Sequence, residues 1–282
     1  MLKKDFSDWL VVSDIDGTLN NKLRQLPKRN LEAINRFVLE CGGHFTLASG
    51  RNVQSLRKHF EKLPISGTPA VVLNGAGVYD YSKEKMVRFS PINPDAVDIV
   101  RKVYERFPSV EIEVLTDKTI YTLNSKIFCP VMVRADKLNH NDFKRFSQLP
   151  KENWGKVIFL GVPPLITEVR KYIDSIPDKK ANFMSSSIAS FEMLEEGVHK
   201  GVGAMEIADM YGIPYEHTAA IGDYFNDYDM LKTVYLSACC GQAPQGLKEI
   251  AKYHACHCNK GAVGDLLEYI MDRQLSIEKT EV

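Results

Sequence analysis

Short apolar runs alternate with amphipathic stretches through the first 80 residues of this 282-residue chain. The runs at 9–13, 44–48 and 70–73 have the length of strands, and the stretches between them repeat apolar residues with the period of a helix. This βαβαβ order predicts a parallel sheet with right-handed crossovers, whose ligands bind beyond the carboxyl ends of the strands. We therefore expect a polar site where these runs end.

The pattern changes after residue 80. Between residues 81 and 190, alternating apolar and polar segments typical of antiparallel strands accompany two amphipathic helices, and the strand and helix alternation resumes after Gly197. The chain is thus predicted to be an α/β protein with two domains. Residues 1–80 and 191–282 would form a Rossmann-like parallel-sheet core, and residues 81–190 an inserted α+β cap domain.

Composition limits the partners of the protein. Lys and Arg together number 36, as do Asp and Glu, so the chain has no net positive charge that would attract nucleic acid or an anionic membrane. The apolar run near the N-terminus is too short for a signal peptide or a membrane span. Six cysteines in a chain of this length indicate buried reduced thiols. We expect a cytoplasmic monomer or homodimer that acts on a small molecule.

Two aspartates follow the first apolar run in the segment 14–18, DIDGT. Carboxylates are preferred ligands of Mg²⁺, and a metal ion with a lysine would cancel the repulsion between an aspartate nucleophile and a phosphate. Asp14 is the candidate nucleophile. Asp16 is the candidate acid that protonates the leaving oxygen and the candidate base that then activates water. An ordinary Asx turn is the alternative interpretation of this segment taken alone.

A second acidic segment, 222–227 with the sequence GDYFND, follows another apolar run. Asp223 is predicted to bind the metal directly. Asp227 would either bind it through water or orient a lysine or a water molecule. A helix N-cap would explain one acidic residue here, but not the whole set.

Ser49, Gly50 and Arg51 end the second apolar run and begin a helix, where a hydroxyl and backbone N–H groups can bind a phosphate oxygen. Ser-Gly is also common at ordinary turns. Lys200 stands at the predicted start of another helix, where a cation opposes the helix dipole unless anions lie in front of it. The aspartates and a substrate phosphate are candidates for those anions, and a solvated surface lysine is the alternative.

In this order, the four segments resemble the motifs of the haloacid dehalogenase-like (HAD) hydrolases, and the long insertion before Lys200 is similar to that of the Cof-type branch. The resemblance spans nearly the whole chain. It implies a Mg²⁺-dependent phosphatase that hydrolyses small phosphorylated metabolites through an aspartyl-phosphate on Asp14. Sugar phosphates and phosphorylated cofactors such as flavin mononucleotide or pyridoxal phosphate are the implied substrates, enclosed by a mobile cap.

The resemblance also implies roles for individual residues. Asp14, Asp16, Ser49 and Lys200 match the catalytic positions. The implied metal ligands are Asp14, the backbone carbonyl of Asp16, and Asp223, with Asp227 nearby. The residues predicted to bind substrate are Gly17, Thr18, Gly50, Arg51, Asn74, Gly75 and Asn226. The chain departs from the family pattern at 237–243, where the usual strand of small residues followed by Asn-Ala reads SACCGQA.

Two other functions share parts of this pattern. Phosphomannomutase-like phosphoryl transferases resemble this chain at the first motif. Such a transferase must shield its phosphoenzyme from water and hold a second phosphate. A non-enzymatic receiver-like phospho-switch also uses an aspartate, paired acids, a Ser or Thr and a lysine, but it needs only about 100 residues. The large insertion therefore favours an enzyme that encloses its substrate.

Overall fold

The computed structural model describes residues 5–65, 67–131, 139–150 and 153–278, with side chains up to residue 273. The strands are β1 (Leu10–Ser13), β2 (His44–Leu47), β3 (Ala70–Val72), β4 (Gly77–Asp80), β5 (Lys85–Phe89), β6 (Glu111–Thr116), β7 (Ile120–Leu123), β8 (His140–Phe143), β9 (Trp154–Leu160), β10 (Ala181–Ser187), β11 (Ser190–Glu195), β12 (Thr218–Gly222), β13 (Leu236–Cys239) and β14 (Tyr253–His254). The α-helices are α1 (Lys28–Asn35), α2 (Val53–Phe60), α3 (Val97–Arg106), α4 (Pro163–Asp174), α5 (Lys200–Tyr211), α6 (Tyr228–Thr233), α7 (Gln245–Lys248) and α8 (Ala262–Glu278).

A five-stranded parallel sheet forms the core, in the order β14-β13-β12-β1-β2. Its central strands are buried along their whole length because helices cover both faces. Side chains of α1 and α8 pack in one apolar cluster and those of α5 and α6 in another. The predicted α/β fold with a parallel-sheet core is confirmed, and the first three predicted strands correspond to β1, β2 and β3 within a residue at each end.

A second, six-stranded sheet has the order β10-β11-β9-β6-β7-β8 and is antiparallel except for the β7–β8 pair. Helices α3 and α4 cover one of its faces, where Ile112, Val114 and Val157 belong to their apolar cluster. The other face turns toward the core. Leu115 and Ile158 on that face join the apolar cluster that also contains β1 and β2 residues.

Strand pairing differs from the predicted boundaries of the insertion at both ends. Residues 85–89, predicted to lie in the cap, form β5, which pairs with β4. Strand β4 pairs in turn with β3, which lies in the part of the chain predicted as core. Residues 191–195, predicted to lie in the core, belong to β11 and pair with β9 and β10 in the six-stranded sheet. Alternation along a segment reveals a strand, whereas its partner is decided by contacts distant in sequence. We propose a cap of residues 90–195 on this pairing.

No helix among the described residues is long and apolar enough to cross a membrane. All six cysteines are free thiols, and all except Cys256 are buried.

A tight turn after β3 brings two distant parts of the chain together. Leu73, Asn74 and Gly75 all have positive φ, at 53°, 55° and 104°. A Cβ atom on Gly75 would lie 2.2 Å from the carbonyl oxygen of His199, the residue before α5. Only glycine therefore allows this turn to approach the start of α5.

We expect Gly75→Ala to lower the free energy of unfolding by at least about 2 kcal/mol, because the methyl group meets rigid backbone and the φ value is strained for alanine. Denaturant unfolding monitored by circular dichroism measures the loss. Gly67→Ala is the matched control, since a Cβ there has no neighbour within 4 Å. Equal stability of the two variants would contradict the packing argument.

Candidate active site

A cleft of about 630 Å³ lies between the carboxyl ends of the core strands and the uncovered face of the six-stranded sheet. Core residues form its floor and six-stranded-sheet residues form its roof. The lining residues are Asp14, Asp16, Arg24, Ser49, Gly50, Arg51, Asn52, Ser55, Asn74, Asp223, Tyr224 and Asn226 from the core, and Glu113, Leu115, Ile120, Lys156, Ile158, Ser186, Ser187, Ile188 and Glu192 from the roof.

A buried lysine connects two of the predicted aspartates. The Lys200 ammonium lies 2.7 Å from Asp14 Oδ1 and 2.6 Å from Asp227 Oδ1, and its side chain is 0% exposed. Burial alone would lower the pKa of Lys200, but the two carboxylates outweigh burial and raise it. The lysine therefore stays charged at the first turn of α5, with anions in front of it as the sequence led us to expect.

The remaining oxygen of Asp227 is bound by backbone. Asp227 Oδ2 accepts hydrogen bonds from the N–H groups of Asp223, at 3.0 Å, and Tyr224, at 3.3 Å. Both of its oxygens are thus engaged inside the protein. Of the two roles considered for Asp227, the contacts are those of a residue that orients the lysine and shapes the acidic loop.

Burial keeps two of the carboxylates easy to protonate in the absence of a metal. Burial raises the pKa of Asp14 to about 7, against the lowering effect of Lys200 and with a further rise from the charges of Asp227 and Asp223. Burial and the charge of Asp227 raise the pKa of Asp223 to about 6. A buried and a half-buried carboxylate close to one another are destabilised as anions unless a cation joins them.

The acidic residues fit a hard divalent cation. Within the described residues, Asp14, Asp223 and Asp227 form the one group of acidic, histidine or cysteine side chains whose candidate ligand atoms all lie within 4.8 Å of one another. Since the oxygens of Asp227 are already hydrogen-bonded, Asp14 and Asp223 are the donors that can turn to a metal. An all-oxygen donor set suits Mg²⁺.

Gly17 and Gln242 determine where Asp223 lies. Gly17 has a φ of 86°, and a Cβ there would lie 2.3 Å from Asp223 Oδ2. Gln242 Nε2 donates to the carbonyl of Gly17 at 2.6 Å and to Asp223 Oδ2 at 3.4 Å. Sequence reasoning did not assign Gln242 a role, although it stands where the chain departs from the family pattern.

Asp16 lies at the exposed side of the cleft. Its side chain is 48% exposed and forms an ion pair with Arg51, at 2.8 Å from Nη2 to Oδ2. Arg51 also donates to Ser55 Oγ at 2.9 Å. The two predicted residues Asp16 and Arg51 thus contact each other at the edge of the cleft, while Asp14 lies buried at its floor.

Ser49 and Asn74 lie side by side at the ends of β2 and β3. The N–H of Asn74 donates to the carbonyl of Ser49 at 2.9 Å, and both residues are buried and line the cleft. The Asn74 side chain reaches the roof, where Nδ2 donates to Glu192 Oε2 at 2.7 Å.

The structure therefore places most predicted site residues around one cleft, and a few behind its surface. Those that line it are Asp14, Asp16, Ser49, Gly50, Arg51, Asn74, Asp223 and Asn226. Those that support it from behind are Gly17, Thr18, Gly75, Lys200 and Asp227. Sequence reasoning missed Lys156 and Glu192, whose charges at inward-facing strand positions were the available signal.

Comparisons with known proteins agree with this arrangement. A family model described as haloacid dehalogenase-like hydrolase matches residues 11–267. The chain is 23% identical over 255 residues to the 5-amino-6-(5-phospho-D-ribitylamino)uracil phosphatase of Bacillus subtilis strain 168, covering 86% of this chain and 90% of the relative. It is 24% identical over 269 residues to the HMP-PP phosphatase of Citrobacter koseri, covering 93% and 96%.

The fold is also shared with a solved structure. A haloacid dehalogenase-like hydrolase from Bacteroides thetaiotaomicron superposes with a TM-score of 0.81 at 22% identity, covering 93% of this chain and 99% of that chain. The family match spans both the floor of the cleft and its roof. The resemblance of the motifs is thereby confirmed: this protein belongs to the haloacid dehalogenase-like hydrolases.

Proposed function

We propose that this protein is a Mg²⁺-dependent phosphatase that hydrolyses small phosphorylated metabolites through an aspartyl-phosphate on Asp14. The observation that carries the proposal is the Lys200 ammonium, buried between Asp14 and Asp227 at the floor of a covered cleft. The family is one of hydrolases, and the two curated relatives compared above are named phosphatases. A phosphoric monoester hydrolase is the enzyme class that fits both.

In the first step, an oxygen of Asp14 attacks phosphorus as the bond from phosphorus to the leaving oxygen breaks. Lys200 holds the carboxylate in place and compensates part of the negative charge that gathers at the floor. A Mg²⁺ ion held by Asp14 and Asp223 supplies the remaining compensation when it is bound. Ser49, whose hydroxyl lies at the end of β2, donates to a phosphate oxygen.

Asp16 handles the protons in both steps. It gives a proton to the leaving oxygen, and it then takes one from the water whose oxygen attacks the phosphorus of the aspartyl-phosphate. Orthophosphate leaves and the Asp14 carboxylate is restored. Arg51 forms an ion pair with Asp16, and a substrate phosphate that draws Arg51 to itself releases the Asp16 carboxyl group for these transfers.

The roof excludes bulk water from these steps. Leu115, Ile120 and Ile158 cover the floor with apolar surface, and Lys156 connects the roof to the carbonyl of Gly50 in the phosphate-binding loop at 3.1 Å. A phosphoryl group enclosed in this way reacts with the positioned water molecule alone. A phosphomannomutase-like transferase, the second candidate function, would also require an enclosed site, because it must exclude water. A receiver-like switch does not enclose a substrate.

Phosphate release from a panel of sugar phosphates, nucleotides and phosphorylated cofactors tests the proposal. We expect release that requires Mg²⁺ and that falls by at least about 10³-fold in Asp14→Asn, because an amide is a poor nucleophile. Asp142→Asn, on the outer strand β8, is the control and should retain activity. Isomerised hexose phosphate in place of free orthophosphate would identify a transferase instead.

Lys200→Met should lower kcat by about 10²- to 10³-fold at saturating Mg²⁺, because the variant keeps the bulk of the side chain but leaves Asp14 and Asp227 as adjacent uncompensated carboxylates. Steady-state kinetics measures the loss, and thermal unfolding shows whether the variant is folded. Lys171→Met on the surface of α4 is the matched control. A folded Lys200→Met protein with full activity would refute the role of the lysine.

Stabilisation by Mg²⁺ should increase with pH. The folded-state pKa values are about 7 for Asp14 and about 6 for Asp223, both above the ordinary value of 3.8. Between pH 3.8 and these raised values, the metal-free folded protein therefore binds more protons than the unfolded chain. The metal-free protein therefore loses stability as pH rises through this window, and Mg²⁺, which binds the ionised carboxylates, restores it.

The rise in Tm caused by Mg²⁺ should accordingly be several degrees at about pH 8 and near zero at about pH 5. Differential scanning calorimetry measures both. Asp223→Asn, which removes a metal donor, should abolish the Mg²⁺ effect at either pH. A shift of equal size at both pH values would show that these carboxylates do not bind the ion.

A further inference from the structure

The roof of the cleft carries charged side chains in an apolar sheet. The register pairs Ile158 with Glu113 on one side and with Glu192 on the other, so these three side chains form a row on one face. Lys156, two residues before Ile158, points to the same face. Lys156 is 2% exposed and Glu192 4% exposed. Charges buried this deeply are retained only where contacts compensate them.

Three contacts hold the Glu192 carboxylate in place. Two of them are made by its Oε2 atom, and the third holds Lys156, which is paired with that atom. Glu192 Oε2 lies 2.6 Å from the Lys156 ammonium and accepts a hydrogen bond from Asn74 Nδ2 at 2.7 Å. Lys156 also donates to the carbonyl of Gly50 at 3.1 Å. The carboxylate is thus held in one orientation by roof and floor together.

The other oxygen of Glu192 is available to a ligand. Among the described residues, Oε1 makes no hydrogen bond, and the side chain lines the cleft. Asn74 Oδ1 beside it is buried with no hydrogen-bond partner, and its orientation follows from the donation of Nδ2 to the carboxylate. This part of the cleft therefore presents acceptors, and a donor on the ligand would satisfy them.

The surroundings define what such a ligand looks like. Leu115, Ile120 and Ile158 give the roof apolar surface next to the acceptors. The nearby ammonium of Lys156 is already held by Glu192 and Gly50. A hydroxyl or amino group on a compact carbon skeleton fits this combination, whereas a carboxylate or second phosphate at that position would face the negative charge of Glu192.

We propose that Glu192 determines specificity by accepting a hydrogen bond from a hydroxyl or amino group of the leaving group and by repelling a second anionic group. The substrates are then phosphomonoesters of polyols, sugars or amino-bearing alcohols that have no other negative charge. The inference rests on the proposed phosphatase function. Lys156 and Asn74 are positioning residues that orient Glu192.

Glu192→Gln tests this sharply because it exchanges an acceptor for a donor without changing shape. Lys156 and Asn74 both donate, so the glutamine carbonyl oxygen must take the place of Oε2 and its NH₂ group the place of Oε1. The variant therefore offers a donor to the ligand where the native protein offers an acceptor.

We would measure kcat/KM of both proteins for glucose 6-phosphate, glucosamine 6-phosphate, 6-phosphogluconate and para-nitrophenyl phosphate. The native protein should prefer the first two over 6-phosphogluconate by at least about tenfold, and Glu192→Gln should lower this preference by about tenfold or more. Activity on para-nitrophenyl phosphate, which has no hydroxyl or amino donor, should change less than about threefold. Glu168→Gln, a charge-matched change on exposed α4, should alter nothing.

A variant that removes both charges separates recognition from folding. Lys156→Met combined with Glu192→Leu leaves no buried charge unpaired. It should lose the preference for hydroxylated substrates by a larger factor than it loses para-nitrophenyl phosphate turnover. A parallel loss on all substrates in both variants would overturn the proposal, because Glu192 would then act only through structure. A native preference for 6-phosphogluconate that is lost in Arg24→Gln would also overturn the proposal, because the Arg24 cation would then bind the second anionic group of the substrate.

Binding to the Asp14→Asn protein distinguishes failure of this inference from failure of the proposed function. Calorimetry with glucose 6-phosphate and 6-phosphogluconate needs no turnover. Weaker binding of glucose 6-phosphate relative to 6-phosphogluconate on adding Glu192→Gln supports the role of Glu192 even if no compound is hydrolysed. An unchanged ratio of the two affinities overturns it even if the protein is an active phosphatase.

Discussion

The ammonium group of Lys200, held without solvent between Asp14 and Asp227, is the interaction on which the site depends. Asp14 directly follows β1, and Asp227 lies in the loop after β12, the parallel neighbour of β1, so the lysine joins segments that are far apart in sequence. A buried ion pair of this kind contributes little net stability, since desolvation of the charges offsets most of their attraction. Its presence is explained better by the proposed function, in which it keeps a cation beside the Asp14 carboxylate.

The same lysine explains several features of the backbone around it. It begins α5, where the helix dipole disfavours a cation, and the two aspartates compensate that cost. The turn at Gly75 lets β3 approach His199 closely and so fixes where α5 begins. On the opposite side, Gly17 makes room for Asp223 next to Asp14. Glycines occur at these two positions because segments distant in sequence approach so closely that no room is left for a Cβ atom.

Roof and floor meet through a mixture of apolar and polar contacts. Leu115 and Ile158 of the roof pack in the same cluster as Leu73 of the floor, and the Glu192–Asn74 and Lys156–Gly50 hydrogen bonds lie beside them. The pair between Lys156 and Glu192 lies wholly within the roof, so separation of the two parts would leave neither charge without its partner. The polar contacts that such a separation would break include the two hydrogen bonds named above.

Several residues that line the cleft could be predicted from the sequence, because they follow apolar runs whose parallel arrangement brings their ends to one edge of the sheet. Asp14, Ser49 and Asp223 are among them. The predicted boundaries of the insertion differ from the strand pairing at β5 and β11, since the alternation along a strand does not identify the strand with which it pairs. Sequence reasoning also gave no role to Gln242, which has no local pattern that separates it from a surface residue, or to Glu192, whose charge within an apolar strand was the one available signal.

By itself, the sequence determined the fold class, the family and the set of acidic and basic side chains from which a phosphoryl site can be built, because these depend on local periodicity and on short motifs. Tertiary structure alone decided which carboxylates are buried, how far their pKa values rise, that both oxygens of Asp227 are occupied, and that Glu192 faces the cleft with one oxygen available. These properties depend on distances between atoms of segments remote in the chain, and such distances exist only after the two sheets have packed.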